Sequence, residues 1–321
     1  MIDEHLKPRA LCTAPDGKII PPLNLEVIVS DHCNIACRQC NHASPIMRKW
    51  NASVEEMERS LNLLTGVYHC KRLRILGGEP LLNPKLVDLI QVAKRSGIGD
   101  IVQLTTNGML LDRLPDEGWR ALDEIEISLY KISKLKDAQI ETFKRKGKQF
   151  GTDVNVSEYP NFRVTFSTQK TDNDALIKDV WQACKMINVW GCHTLREGVL
   201  YRCPQSVYVP GITGGELTDE GFALVDNPGL IDDLMDYFNA PGPLKSCAHC
   251  VGSSGKKIHQ ASLGRQEWKE DLHAPIEEMI DFDLLERSKR EAKIIDDCRT
   301  PVKEKNKFKK LLKKVRSIYT L

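Results

Sequence analysis

LNLEVIVSDHCNIACRQCNHASP, residues 23–45, begins as a strand and ends as a cysteine loop, and the architecture unfolds from that junction. Residues 23–30 alternate and carry β-branched side chains, which predicts a strand. Residues 31–45 are polar and turn-rich, so the three cysteines sit on a loop at the strand's carboxyl end. Outward from there the pattern repeats. Met57, Leu61 and Leu64 recur at helical spacing over 53–66, with Ser53 placed as N-cap. A strand at 72–76 (RLRIL) stops at Gly77-Gly78, and a helix near 84–95 and a strand near 100–106 follow. Then come a strand at 124–130 (EIEISLY), a charged helix near 134–147, strands at 152–157 and 162–168, and a helix at 174–188. Strands alternating with helices predict parallel βαβ units and an α/β fold.

Near residue 190 the rhythm stops. Residues 192–252 are rich in Gly, Pro and Cys, with a hairpin and a short helix around 229–238. The stretch 275–321 reads as two helices separated by Pro301. The net charge of +2 gives no global field toward nucleic acid. The first residues lack a secretion-signal pattern, and no apolar run reaches the roughly 18–20 residues that span a bilayer. A cytoplasmic location is expected, and there eleven cysteines call for metal binding rather than disulfides.

Cys33, Cys37 and Cys40 form a C-x3-C-x2-C set. Three thiolates suit a [4Fe–4S] cluster and leave one of its four irons open to a ligand. The alternative is zinc held by three cysteines and a histidine, His32 or His42. Gly77-Gly78-Glu79-Pro80 ends the second strand, where glycines free the backbone to approach a ligand closely. Thr106 and Asn107 end the next strand, and Ser128 and Tyr130 lie on the fourth. Ligands of parallel α/β sheets gather at these strand ends.

In this order and spacing the motifs resemble the radical S-adenosylmethionine (SAM) superfamily over about residues 24–170. The resemblance implies a partial (β/α)6 TIM-like barrel and a cluster on Cys33, Cys37 and Cys40 whose open iron chelates SAM. It implies reductive cleavage of SAM to a 5′-deoxyadenosyl radical, with a flavodoxin- or ferredoxin-type electron donor. Gly77, Gly78, Glu79 and Pro80 would meet the methionyl amine, and Thr106, Asn107, Ser128 and Tyr130 the rest of the cofactor. Gln39 departs from the family, which usually has an aromatic residue just before the third cysteine.

Cys192, Cys203, Cys247 and Cys250 make a second set, with Glu197-Gly198 fitting a hairpin turn that joins the first two. Spacing alone allows a structural zinc site as readily as a cluster. The order is similar to the twitch extension, a shortened SPASM domain, which implies an auxiliary [4Fe–4S] cluster. The expected layout is an extension at 1–22, the barrel at 23–190, a twitch-like domain at 191–275 and a C-terminal helical segment at 276–321. Cys12, Cys70, Cys184 and Cys298 fall outside both sets and default to small buried hydrophobes. Cys184 and Cys298 are the candidates for a thiol that gives a hydrogen atom to a substrate radical.

From Lys303 to Arg316 basic residues interleave with Phe308, Leu311, Leu312 and Val315. This amphipathic pattern suits a docked helix with a solvated face or peripheral contact with an anionic membrane. The layout and the run Cys40-Asn41-His42-Ala43-Ser44-Pro45 resemble twitch-bearing epimerases and dehydrogenases of aminoglycoside and aminocyclitol pathways. The expected reaction is hydrogen abstraction from a sugar-like small molecule, ending in epimerisation or alcohol oxidation. The alternatives are a maturase of ribosomally made peptides, weakened by the short stretch before the first strand, and a zinc-binding interaction protein.

Overall fold

The computed structural model describes residues 10–133, 135–290 and 300–301. Its first half follows the alternation closely: β1 Asn24–Ser30, α1 Val54–Thr65, β2 Cys70–Gly77, α2 Leu86–Ser96, β3 Gly99–Thr106, α3 Asp116–Ala121, β4 Glu124–Tyr130, α4 Asp137–Phe150 and β5 Asp153–Tyr159. The second half runs β6 Asn161–Arg163, α5 Asp174–Ala183, α6 Lys185–Asn188, β7 Cys192–Arg196, β8 Val199–Tyr201, α7 Gln205–Thr213, β9 Phe222–Ala223 and α8 Leu230–Asn239. It ends with β10 Lys257–His259, α9 Arg265–Asp271, α10 Ile276–Met279, α11 Phe282–Arg290 and β11 Thr300–Pro301.

β1 to β5 pair in parallel in chain order, and β7 adds a sixth parallel strand on the free side of β1. The full sheet reads β11-β5-β4-β3-β2-β1-β7-β8-β9, with antiparallel pairing only at its two ends. This is an α/β fold built on a mostly parallel sheet. β7 therefore joins the same sheet from beyond residue 190. Two expectations need correction. Of 162–168 only β6 is strand, and it pairs with β10 in a separate ribbon because the chain then turns toward the second cysteine set. The helix expected over 174–188 breaks at Cys184, whose extended backbone (φ −67, ψ 119) separates α5 from α6.

Ser53 caps α1 as its position suggested, accepting a hydrogen bond from the Glu56 amide at 3.1 Å. The apolar stripe Met57, Leu61 and Leu64 packs on outward-facing Leu25, Val27, Leu73 and Ile75. Each such buried side chain contributes about 1.5–3 kcal/mol. The other face of the strands is polar: Glu26 pairs in register with Arg74, Arg74 with Gln103, and Thr105 with Glu126. Strands of a parallel sheet usually read as apolar on both faces. A polar row buried inside the sheet is what positions the site. Among the described residues no helix is long and apolar enough to cross a membrane. Cys298 and the basic stretch Lys303–Arg316 lie outside the described residues.

Candidate active site

The cysteine loop leaves β1 and is locked against the end of β2. The Gly78 amide donates to the Ser30 carbonyl at 2.7 Å and the Glu79 amide to the His32 carbonyl at 2.9 Å. A Cβ on Gly77 would lie 2.2 Å from the Ser30 carbonyl oxygen, and one on Gly78 2.3 Å from that of His32. Both glycines are thus required by close backbone approach. His42 bonds the Gly77 carbonyl through Nδ1 and stacks on Tyr208, with ring centroids 5.0 Å apart. Burial pushes its imidazole down to about 4, so the ring is neutral and Nδ1 carries the donated proton. His32 bonds the Ser30 hydroxyl at 3.1 Å.

Glu79 is fully buried, and its carboxyl accepts from the Thr106 hydroxyl (2.7 Å), the Asn107 amide (3.0 Å) and the Leu81 amide (3.2 Å). Burial nevertheless raises its pKa to about 7 against those donors. Glu79 and Thr106 therefore tie the ends of β2 and β3 together. Asn107 reaches back to the loop, donating to Asn34 Oδ1 at 2.7 Å with Cys33 Sγ at 3.7 Å.

The thiols Cys33, Cys37 and Cys40 perturb one another electrostatically, and burial raises all three, Cys33 to about 12. Cys40 is met by the backbone N–H groups of His42, Ala43 and Ser44, in a turn where Ala43 has φ +50. Successive amides converging on one sulfur form a concavity that favours a thiolate. The donor set fits a [4Fe–4S] cluster: soft thiolates from one loop, one of them already cradled by N–H groups. Among the described residues, no group of three or more His, Cys, Asp or Glu side chains is already gathered around a single ion position.

A cavity of about 370 Å³ opens beside Cys37 and Cys40. Glu26, Arg74, Thr105 and Ser128 from the polar inner row form its floor, and Tyr130, Tyr159 and Phe162 form an aromatic wall. Arg163, Lys185 and Trp190 also line it. Ser128 and Tyr130 lie on β4, where the sequence placed them, and both line the cavity. Glu26, Arg74, Arg163, Lys185 and Trp190 were not anticipated. For the first two, the signal was present as polar residues at every second position of otherwise apolar strands.

The second set is where the structure departs most from the spacing argument. Cys203, Cys247 and Cys250 line a separate, largely apolar cavity of about 120 Å³, and the fourth thiol there is Cys184. Each of the three feels Cys184 electrostatically. Cys192 lies on β7 and does not line that cavity. The expected hairpin does form, with Thr194 opposite Tyr201 and Arg196 opposite Val199. But β8 ends at Tyr201, so Cys203 has left the ladder before it can face Cys192. The Cys184 break between α5 and α6 turns that thiol inward instead. Trp181 Nε1 and Gln205 Oε1, both beside this cavity, are buried without a hydrogen-bond partner. A buried indole N–H without a partner, beside a cavity lined by four thiols, fits a bound sulfur-containing centre, whose sulfurs accept hydrogen bonds. Asn41 and Thr165 line both cavities, so the two cysteine sites share a wall.

Comparison with known proteins agrees with the loop geometry. The radical SAM superfamily model matches residues 27–145. Residues 27–145, about a third of the chain, are thus similar to radical SAM domains. Curated relatives include a GTP 3′,8-cyclase of Chlorobaculum tepidum, 33% identical over 117 residues, covering 36% of this chain and 35% of that one. Another, from Heliobacterium modesticaldum, is 38% identical over 110 residues, 33% of each chain. The chain thus covers about a third of the length of these relatives. Among solved structures, BtrN in complex with AdoMet and 2-DOIA aligns over 70% of this chain and 83% of its own, at 12% identity and a TM-score of 0.43. Streptococcus suis SuiB bound to S-adenosylmethionine aligns over 43% and 34%, at 24% identity and a TM-score of 0.34. The radical SAM match ends at residue 145, before Tyr159, Phe162, Arg163, Lys185 and Trp190. The outer wall of the cleft is therefore outside the matched region.

Proposed function

We propose that the protein is a radical SAM enzyme acting on a carbon of a polar, sugar-like small molecule, with epimerisation or alcohol oxidation as the outcome. The observation that carries this reading is the cavity beside Cys37 and Cys40, about 370 Å³ with hydrogen-bonding groups on its floor and aromatic rings on its wall. Small-molecule sites fall in the range of roughly 300–1,000 Å³. Cys33, Cys37 and Cys40 would hold the cluster, and the β2, β3 and β4 ends would meet SAM. When bound, cluster and SAM together supply a 5′-deoxyadenosyl radical able to take hydrogen from carbon.

The chain's own residues do the rest. Glu79 and Thr106 hold the strand ends at fixed separation, and Asn107 steadies the loop at Cys33. The Glu26–Arg74 pair, with N and O 3.5 Å apart, offers a charged floor to hydroxyl or amino groups of a substrate. Tyr130, Tyr159 and Phe162 exclude water from one side of the cleft. Cys184, Cys203, Cys247 and Cys250 would hold an auxiliary [4Fe–4S] cluster across the wall shared with the cleft. This assigns Cys184 to a metal rather than to hydrogen-atom donation. A GTP substrate, suggested by the relatives' names, is the second reading, supported by Arg163 and Lys185 in the cleft.

The test is anaerobic reconstitution with iron and sulfide, reduction, and addition of SAM with a panel of aminocyclitols, nucleotide sugars and GTP. Formation of 5′-deoxyadenosine dependent on one substrate class is expected. Loaded protein that releases none with any of them overturns the reading. In heavy water, deuterium retained at carbon marks epimerisation, and an unlabelled carbonyl product marks oxidation.

A further inference from the structure

The cysteine loop is gripped from outside the matched domain. The Arg38 amide donates to the Ala261 carbonyl at 2.8 Å, and the Leu263 amide to the Ala36 carbonyl at 3.1 Å, so the loop pairs with the segment leading into α9. Trp268, buried on α9, donates its indole N–H to the Cys37 carbonyl at 2.7 Å. Asp271, the last residue of α9, takes the two side chains between the second and third cysteines. Its carboxylate accepts from Arg38 Nε (2.9 and 3.1 Å) and Nη2 (2.6 Å), and from Gln39 Nε2 at 2.8 Å. Gln39 Nε2 also donates to the Asp271 carbonyl at 3.0 Å.

Gln39 sits at φ +51, the left-handed region that a side chain with a Cβ disfavours. It is buried and lies immediately before Cys40. A non-glycine residue keeps such a backbone only where its surroundings over-determine it. Here both Gln39 Nε2 contacts are made by Asp271, and the Thr165 amide meets the other end of the side chain, Gln39 Oε1, at 3.5 Å.

We propose that Asp271 is a positioning residue for the cysteine loop: through Arg38 and Gln39 it holds the left-handed turn that sets Cys40 relative to Cys37. Asp271 touches neither cofactor nor substrate in this assignment. It acts by fixing the spacing at which two of the three thiolates are presented, and a segment more than 220 residues downstream thereby completes the loop. The loading arm of the test rests on the cluster reading above, and the exchange arm does not.

The experiment uses the full chain with Asp271→Ala, Asp271→Asn, Gln39→Gly and the Asp271→Ala/Gln39→Gly pair. In metal-free protein, amides of residues 33–44 are expected to exchange roughly tenfold faster in Asp271→Ala than in the native chain, while β2 and β3 amides stay protected. After anaerobic loading, Asp271→Ala is expected to hold less iron and to lose the EPR signal of the reduced first cluster. Gly at position 39 adopts positive φ freely, so the double variant is expected to regain loading and signal. Asp271→Asn keeps the size of the side chain and should fall between. Native-like exchange in Asp271→Ala overturns the proposal. So does a double variant that unfolds at the native temperature yet stays as poorly loaded as Asp271→Ala. If the native chain itself takes up no iron, the cluster reading fails, and the exchange rates alone decide the role of Asp271.

Discussion

Glu79 shows how one side chain carries the conflict between burial and hydrogen bonding. Three donors favour its carboxylate, yet burial wins and the pKa rises from 4.5 to about 7. Because the folded state binds this proton more tightly than the unfolded chain, stability contributed by Glu79 is present below about pH 4.5 and is lost as pH rises to about 7. The span corresponds to at most about 3 kcal/mol. Urea unfolding of metal-free protein from pH 5 to 7.5 should show the native chain losing stability relative to Glu79→Gln; a pH-independent difference refutes the assignment. The glycines beside it act sterically. Gly78→Ala would press a methyl against the His32 carbonyl, a backbone atom that cannot swing away. It should cost about 1–3 kcal/mol of unfolding free energy, in the range of overpacked sites.

Between elements, a buried ion pair joins β7 to the start of the cysteine loop. Arg196 and Asp31 are 5% and 1% exposed and pair at 2.6 Å, with the guanidinium 4.1 Å above the Trp50 ring. Removing one partner of a buried pair strands the other charge, at about 3–5 kcal/mol. Arg196→Met should destabilise the protein by that amount in denaturant unfolding, and Asp31→Asn/Arg196→Met should recover part of it. A double variant as costly as Arg196→Met and Asp31→Asn added together would mean the pair is not coupled. Such links were not legible in the sequence, because they join residues 165 positions apart with no local pattern. What was legible is local: Ser53 before an apolar stripe, RLRIL running into Gly77-Gly78, three cysteines after a β-branched strand. The break at Cys184 was hidden because 174–188 keeps helical spacing right through it. The polar inner row could have been read, since Glu26, Arg74, Thr105 and Glu126 interrupt strands that a parallel sheet normally fills with apolar side chains.

At the scale of the whole chain, the two cysteine sites share a wall at Asn41 and Thr165, and the choice of fourth thiol in the second follows from how its segments converge there. Phe166 bridges Cys250, the Val251 amide donates to the Thr165 carbonyl, and the Lys185 amide donates to Ser253, which draws the α5–α6 break onto the Cys247–Cys250 turn. Gly252 completes the approach: a Cβ there would stand 3.3 Å from Cys184 Sγ. Cys192, in contrast, is fixed by its register with Asn24 on β1. Anaerobic loading of the native chain should reach about eight irons and eight sulfides. Cys184→Ser should lower this toward about four of each while leaving the EPR signal of the first cluster intact, and Cys192→Ser should leave the full content in place. If Cys192→Ser empties the second site and Cys184→Ser does not, the hairpin supplies the ligand after all. Four irons with one zinc in the native chain would instead make the second site structural.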